Sequence, residues 1–400
     1  MKICMLTTSF PRFKGDYAGN FIYELAKNLV RRGVEVSVVA PHHHETKGYE
    51  MMDGIKVHRF QYFYPKKFQR IAYDGGIPSK LKGSLVAKLQ LPFFLISFFI
   101  KSLDVARSCD IIHGFWAIPG GVISGIISQL LNKPNVITMY GSGMRIGARY
   151  QLLSKIIIYF LNSADYVTSD MEEMFNIAKE FGFDNKNSEI IITGVDTDIF
   201  KPSNNSENKE RKIVLMVGSF RKIKGHDFVV RCIPRVLKEC PNTQFIFTSD
   251  GPQLEDIKKR VEKLNVSENV VFTGIIPRDE LIRLYKKADV FLLASPHQNA
   301  SDTSLYEAFS AGKAVVATDV GEIRNVAADG ENILLAPYGD IEAYSNQIVR
   351  ILKDDHLKEK LGLNARKLVL KKYSIDAAVN SYLTIYRKLL SKWHCKKNEP

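Results

Sequence analysis

The chain has little of what marks a secreted or metal-scaffolded protein. Its 400 residues hold five cysteines, Cys4, Cys109, Cys232, Cys240 and Cys395, which are odd in number, scattered, and never in a CxxC pair. That spacing argues against a disulfide framework or a zinc site and fits a reducing cytoplasm. No apolar run reaches the roughly twenty residues needed to span a bilayer. The most apolar stretch, Leu91 to Ile100, is bounded by Lys88 and Lys101 and reads as a buried helix. The basic segment before it, with Lys66, Lys67, Arg70, Lys80 and Lys82, suits an anionic membrane surface. The N-terminus enters a strand directly, without signal-peptide architecture. GxGxxG is absent, so there is no dinucleotide fingerprint. No nucleic-acid-binding motif accompanies the positive charge.

What is there is ordinary globular composition, 45% hydrophobic and 25% charged, with a net charge of +13. The length suggests two domains of about 150–200 residues each. The charge favours anionic partners. Short β-branched runs alternate with helical patterns from residue 2 to about 193, which predicts a parallel α/β sheet covered on both faces. The polar stretch Lys201 to Lys212 reads as a linker, after which Ile213 to Val217 restarts the alternation. Pro92 is expected to kink or break the helix Leu85 to Arg107. From Ile375 onward, Ala378, Tyr382, Ile385, Tyr386, Leu389 and Trp393 form one stripe of a long terminal helix. The expected domains are 1–200 and 213–372, with the helix 373–394 packing back toward the first and bracing the two.

Two places invite a ligand. The first strand is followed by the loop SFPRFKGDYAGN, Ser9 to Asn20, where Gly15 and Gly19 either let backbone approach a ligand or simply make a flexible connection to the helix Phe21 to Arg32. The stretch from Ala288 to Glu322 reads strand, polar loop, helix, Gly stop, strand, which puts its loop at the carboxyl edge of the sheet, where α/β proteins bind ligands. Its helix start offers unpaired N–H groups to a phosphate. Glu307 could accept hydrogen bonds from a sugar diol beside that phosphate. Equally, Ser304-x-x-Glu307 fits a capping box that only closes the helix.

Taken in order, the segments TTSFPRFKGDYAGNFIYELAKNLVRRGVEVSVVAP (7–41), DIIHGFWAIPGG (110–121), SADYVTSD (163–170), ITGVDTDIFKP (192–202), VGSFRKIKG (217–225), SDGP (249–252), VVFTGIIPRDELIRLYKKADVFLLAS (270–295) and SLYEAFSAGKAVVATDVGE (304–322) resemble family 4 glycosyltransferases. The resemblance covers nearly the whole chain. It implies the GT-B fold, α/β with two Rossmann-like domains facing across a cleft. It also implies transfer of a sugar, with retention at the anomeric carbon, from a nucleoside-diphosphate sugar to a saccharide or lipid-linked saccharide. No cofactor or metal is implied. The donor side would comprise Gly218, Arg221, Lys224, Asp250, Gly251, Gly274, Ile275, Asn299, Asp302, Thr303, Ser304, Leu305 and Glu307. Within it Lys224 would meet the diphosphate and Glu307 the ribose. The acceptor side would comprise Gly15, Gly19, Asn20, His113, Trp116 and Tyr140, with His113 in the catalytic set beside Lys224 and Glu307.

This sequence also departs from the family pattern. Ser219 stands where the family has arginine, with Arg221 two residues on. Asn299 replaces the first of two glutamates, and Asp302 is the nearest acid. Phe115, Tyr140 and Gly143 replace a second histidine, a histidine and an aspartate. These changes leave a second reading open, a catalytically weakened relative that binds nucleotide or glycan and supports a partner enzyme.

Overall fold

The computed structural model describes residues 1–13, 16, 18–73, 76–202, 211–296 and 303–398. The chain divides into two compact units, Met1–Thr193 with Ala378–Pro400, and Gly194–Ala377.

The first unit is built on strands β1 (Lys2–Leu6), β2 (Glu35–Pro41), β3 (Tyr49–Met52), β4 (Ile55–Phe60), β5 (Ile111–Phe115), β6 (Asn135–Met139), β7 (Tyr166–Ser169) and β8 (Ser188–Ile190). They lie in the order β3-β4-β2-β1-β5-β6-β7-β8. All neighbours are parallel except β3, which runs antiparallel to β4 at the edge. The run KICML buries four of five side chains, as a central parallel strand should. Cys4, Leu6, Val39 and Phe60 face a helix core that includes Phe94, Phe98, Ile123 and Ile127. Alternation then sends Ile3 and Met5 to the opposite face. Phe60 stacks on Phe98 at 4.7 Å and meets Phe94 edge-on at 5.0 Å. Each such burial is worth about 2 kcal/mol.

Two expectations fail here. Helix Leu85–Ala106 runs unbroken through Pro92. Lys88 and Pro92 are both exposed, so the carbonyl that loses its i+4 donor faces solvent, where water can serve it. The apolar run within this helix is only half buried. Phe94 and Phe98 point inward, while Phe93, Ile96 and Ile100 point out. This helix is long and apolar enough by length and composition to cross a membrane, but its inner face belongs to the core.

The second unit holds β9 (Lys212–Val217), β10 (Thr243–Thr248), β11 (Val270–Phe272), β12 (Val290–Leu293), β13 (Ala314–Thr318) and β14 (Leu334–Ala336), in the order β11-β10-β9-β12-β13-β14. In chain order within the unit this is 3-2-1-4-5-6, all parallel, the doubly wound arrangement. Direction of crossover reverses between β9 and β12, so the loops after those two strands flank the switch point, where such sheets hold ligands. Where the chain enters and leaves this unit, Val195 bridges Ser374. The Val195 N–H donates to Tyr373 O and the Ile375 N–H to Val195 O, both at 2.9 Å.

Candidate active site

In the second unit β9 ends at Val217, and a tight loop that starts at Gly218 leads the chain to helix His226–Glu239. Gly225 has φ +77°, and a Cβ there would sit 1.8 Å from Ala294 O at the end of β12. Only glycine lets the two loops of the switch point touch. The Lys224 side chain lies along Gly218, its Cγ, Cδ and Cε within 3.5–3.7 Å of where a Cβ would project. Its ammonium is therefore delivered to the carboxyl edge of the sheet. Arg221 is exposed on the same loop.

Neighbouring loops are tied to this one. Phe220 is buried, its N–H donates to Asp250 O at 3.1 Å, and its carbonyl accepts from the Gln253 N–H at 3.0 Å. The Gly251 N–H donates to Asp250 Oδ1 at 2.6 Å. The Ser249 N–H donates to Gly274 O at 2.7 Å, and Ile275 beyond it is exposed. Loops after β9, β10 and β11 thus form one hydrogen-bonded rim that carries Gly218, Arg221, Lys224, Asp250, Gly251, Gly274 and Ile275.

After β12 the chain enters helix Thr303–Ser310. Asn299 and Asp302 fall outside the described residues. Ser304 is inside the helix rather than at its cap, which removes the register a capping box needs. Thr303, Ser304 and Leu305 supply the first turn. The Glu307 carboxylate is half-exposed and accepts a hydrogen bond from Tyr285 Oη at 2.8 Å. Tyr285 is fully buried, stacks on Phe291 of β12 and donates also to Ser304 O at 3.3 Å. It orients Glu307 from below and was not singled out from the sequence. The only signal there is a tyrosine in the helical pattern preceding β12. His226 sits just past Gly225, buried and stacked on Phe220 at 4.2 Å. Burial first, and the nearby Lys224 charge second, push its pKa down to about 4.

In the first unit the corresponding edge lies after β1, β5 and β6. Gly19 takes φ +63°, where a Cβ would meet Ser9 O at 2.2 Å, and the helix Asn20–Arg31 follows. Gly15 lies outside the described residues. Phe21 meets Tyr140 at 4.9 Å and Trp116 at 5.9 Å, and Trp116 meets Tyr140 at 5.5 Å. These rings, with Phe115 stacked on Tyr140, form an aromatic floor at that edge. The structure brings Gly19, Asn20, Trp116 and Tyr140 together there.

His113 requires a correction. It is wholly buried, with Nδ1 2.7 Å from Tyr386 Oη and Nε2 2.7 Å from Thr138 Oγ1. Thr138 Oγ1 continues to Thr168 Oγ1 at 2.6 Å and Tyr382 Oη at 3.1 Å. Both ring nitrogens are engaged inside the fold, and burial holds the imidazole neutral, its pKa down at about 3. The residue anchors helix Ile375–Asn398 and does not present itself to a substrate. Among the described residues one group could hold a metal ion, His43, His44 and Glu45 after β2. It belongs to the first unit and none of its members lies in the rim of loops described above.

Residues 18–199 match the family model described as Glycosyltransferase Family 4, and residues 197–368 the one described as Glycosyl transferases group 1. The chain belongs to the family 4 glycosyltransferases. It is 24% identical to an N-acetyl-alpha-D-glucosaminyl L-malate synthase of Bacillus anthracis, over 98% of each chain. A glycosyltransferase of Rickettsia africae matches 97% of this chain and 98% of its own with TM-score 0.75 at 17% identity. HepE of Anabaena, solved in complex with UDP, matches 97% of this chain and 100% of its own with TM-score 0.72 at 16% identity. The glycosyltransferase thus has the GT-B fold, two Rossmann-like units in one chain.

Proposed function

We propose that this glycosyltransferase moves a sugar, with retention and without a metal ion, from a nucleoside-diphosphate sugar to a saccharide or lipid-linked saccharide in polysaccharide or glycolipid biosynthesis. The donor is a co-substrate, and no further cofactor takes part. The second unit serves as donor domain and the first as acceptor domain. The enzyme works in the cytoplasm, peripherally on the inner face of an anionic membrane.

The observation that carries this reading is the rim of the second unit, where Lys224, the start of helix His226–Glu239 and the Tyr285-oriented Glu307 converge on one sheet edge. Lys224 and the two helix starts offset diphosphate charge. That charge grows as the glycosidic bond breaks, so these contacts strengthen toward the transition state. Glu307 accepts hydrogen bonds from the ribose diol. Backbone groups at Gly274 and Ile275 flank the base. The acceptor attacks from the face the diphosphate leaves, and the departing diphosphate takes its proton. No protein nucleophile is needed. UDP, bound in HepE, is the first nucleotide to try.

The purified protein is incubated with UDP-, GDP- and ADP-sugars, with and without membrane lipid extract, and released nucleoside diphosphate is measured. Release with one donor is expected. If no donor yields release and calorimetry detects no donor binding, the reading fails. Binding without turnover would support the second reading, a weakened relative that assists a partner enzyme, which Ser219 and Asn299 favour.

A further inference from the structure

Helix Leu85–Ala106 buries Ala87, Gln90, Phe94, Phe98, Ser102 and Val105. Its opposite face is a stripe of large apolar side chains at i, i+4 and i+3 spacing: Leu85, Leu89 (74% exposed), Phe93 (56%), Ile96 (57%) and Ile100 (60%). At the rise of a helix this stripe is about 22 Å long. A soluble surface rarely keeps such a patch uncovered without a use for it. It continues sideways. Helix Val122–Leu131 packs between this helix and helix Gln151–Ser163. It exposes Leu130, and the third helix exposes Leu152, Ile156 and Tyr159, again at i, i+4 and i+7.

The charge around the patch has one sign. From Tyr62 to Arg107 the chain carries eight lysines and arginines against two acids, Asp74 and Asp104. Helices Val122–Leu131 and Gln151–Ser163 carry no acid at all. The basic loop is fixed beside the stripe, because Gln90 Nε2 donates to Phe68 O at 2.8 Å while its Oε1 accepts from the Arg70 N–H at 3.1 Å. That holds exposed Lys66 and Lys67, and the exposed rings of Tyr64 and Phe68, at one end. At the other, Lys101 and Arg107 line an open depression of about 470 Å³ with Ile100 and Asp104.

We infer that this three-helix face of the first unit docks on an anionic phospholipid bilayer. The stripe Leu85–Ile100 lies at the acyl boundary, and Lys66, Lys67, Lys101 and Arg107 meet headgroup phosphates. A protein partner would have to match the apolar relief residue by residue, whereas a bilayer needs only an apolar stripe flanked by cations and aromatic rings. The inference deepens the membrane contact of the proposed reaction and rests on it only for the choice of leaflet. Vesicle capture is read with no sugar donor present.

The full chain is sedimented with vesicles of phosphatidylcholine alone and of phosphatidylcholine mixed with phosphatidylglycerol, at low and high salt. Binding is expected to the mixed vesicles, weakened by salt. The double change Phe93→Asp with Ile96→Asp should abolish it while leaving nucleotide-diphosphate binding and thermal midpoint unchanged. Lys66→Glu with Lys67→Glu should weaken it roughly tenfold or more, since each cation near an anionic surface contributes severalfold. The inference is overturned if the chain does not bind mixed vesicles, or if the Phe93/Ile96 variant binds them as the parent does. It is equally overturned if that variant turns a dimer into a monomer without changing vesicle binding, because the face would then join two copies.

Discussion

Lys224 lies with its methylenes across Gly218, and Glu307 is held by a buried tyrosine, so both side chains of the proposed donor site are set before a ligand arrives. Preset groups lose little side-chain freedom on binding. Lys224→Ala should weaken nucleoside-diphosphate binding about tenfold to a hundredfold, the range for one charge-assisted hydrogen bond. Titration calorimetry with UDP would show it, and an unchanged Kd would remove Lys224 from the site. Glu307→Ala should weaken binding with little change in Tm. A lower Tm with intact binding would return the residue to a merely structural role. His113 supplies a pH test. Its folded pKa of about 3 lies below the ordinary value of 6.5. As pH falls below 6.5 the unfolded chain takes a proton that the folded one refuses, so stability declines by up to about 1.4 kcal/mol per pH unit from this group. It is fully retained above 6.5. Urea midpoints between pH 7 and 4.5 should fall accordingly, and the His113 ring should show no titration by NMR above pH ~4. A ring that titrates near 6.5 would refute the buried, doubly bonded state.

Among the elements, helix Ile375–Asn398 reaches the sheet of the first unit through Tyr382 and Tyr386, and their hydroxyls end the chain of hydrogen bonds running through Thr168, Thr138 and His113. Tyr386→Phe would leave His113 Nδ1 buried without its partner, a cost of about 1–3 kcal/mol in urea unfolding. A neutral result would mean that water replaces the hydroxyl. The stripe Ala378, Tyr382, Ile385, Tyr386 and Leu389 was legible because its period is helical. The strands were legible because they are β-branched runs, and Asn135–Met139, Tyr166–Ser169, Val270–Phe272 and Ala314–Thr318 fall where those runs put them. Elements without such a signal were not. Tyr49–Met52 (YEMM) is an edge strand with neither alternation nor an apolar run, and helix Asp355–Leu368 hides its apolar positions among charges. The rim loops of the site could be placed at strand ends, but their side-chain partners could not. Tyr285 meets Glu307 from 22 residues upstream, and His113 meets Tyr386 across 273. Periodicity carries no information at such separations. For the same reason a helix with an apolar majority was expected to be buried, when only one of its faces is.

At the scale of the whole molecule, the first unit is assembled from both ends of the chain and the second from one continuous piece. Residues 194–377 expressed alone should fold and bind nucleoside diphosphate. Residues 1–193 alone should be poorly soluble, because Thr138, Thr168 and His113 lose the tyrosines that satisfy them. Circular dichroism and calorimetry on the two fragments check both outcomes, and a well-folded 1–193 would show the terminal helix to be dispensable.

The Val195–Ser374 bridge has a practical consequence. It brings the two ends of the middle segment within a pair of 2.9 Å hydrogen bonds. A piece whose ends already meet can be cut out and replaced with almost no loop-closure penalty to what surrounds it. If the second unit is the donor domain, as proposed, grafting the corresponding segment of a relative between Thr193 and Ala378 should exchange the nucleotide specificity of one enzyme for another's while keeping its acceptor.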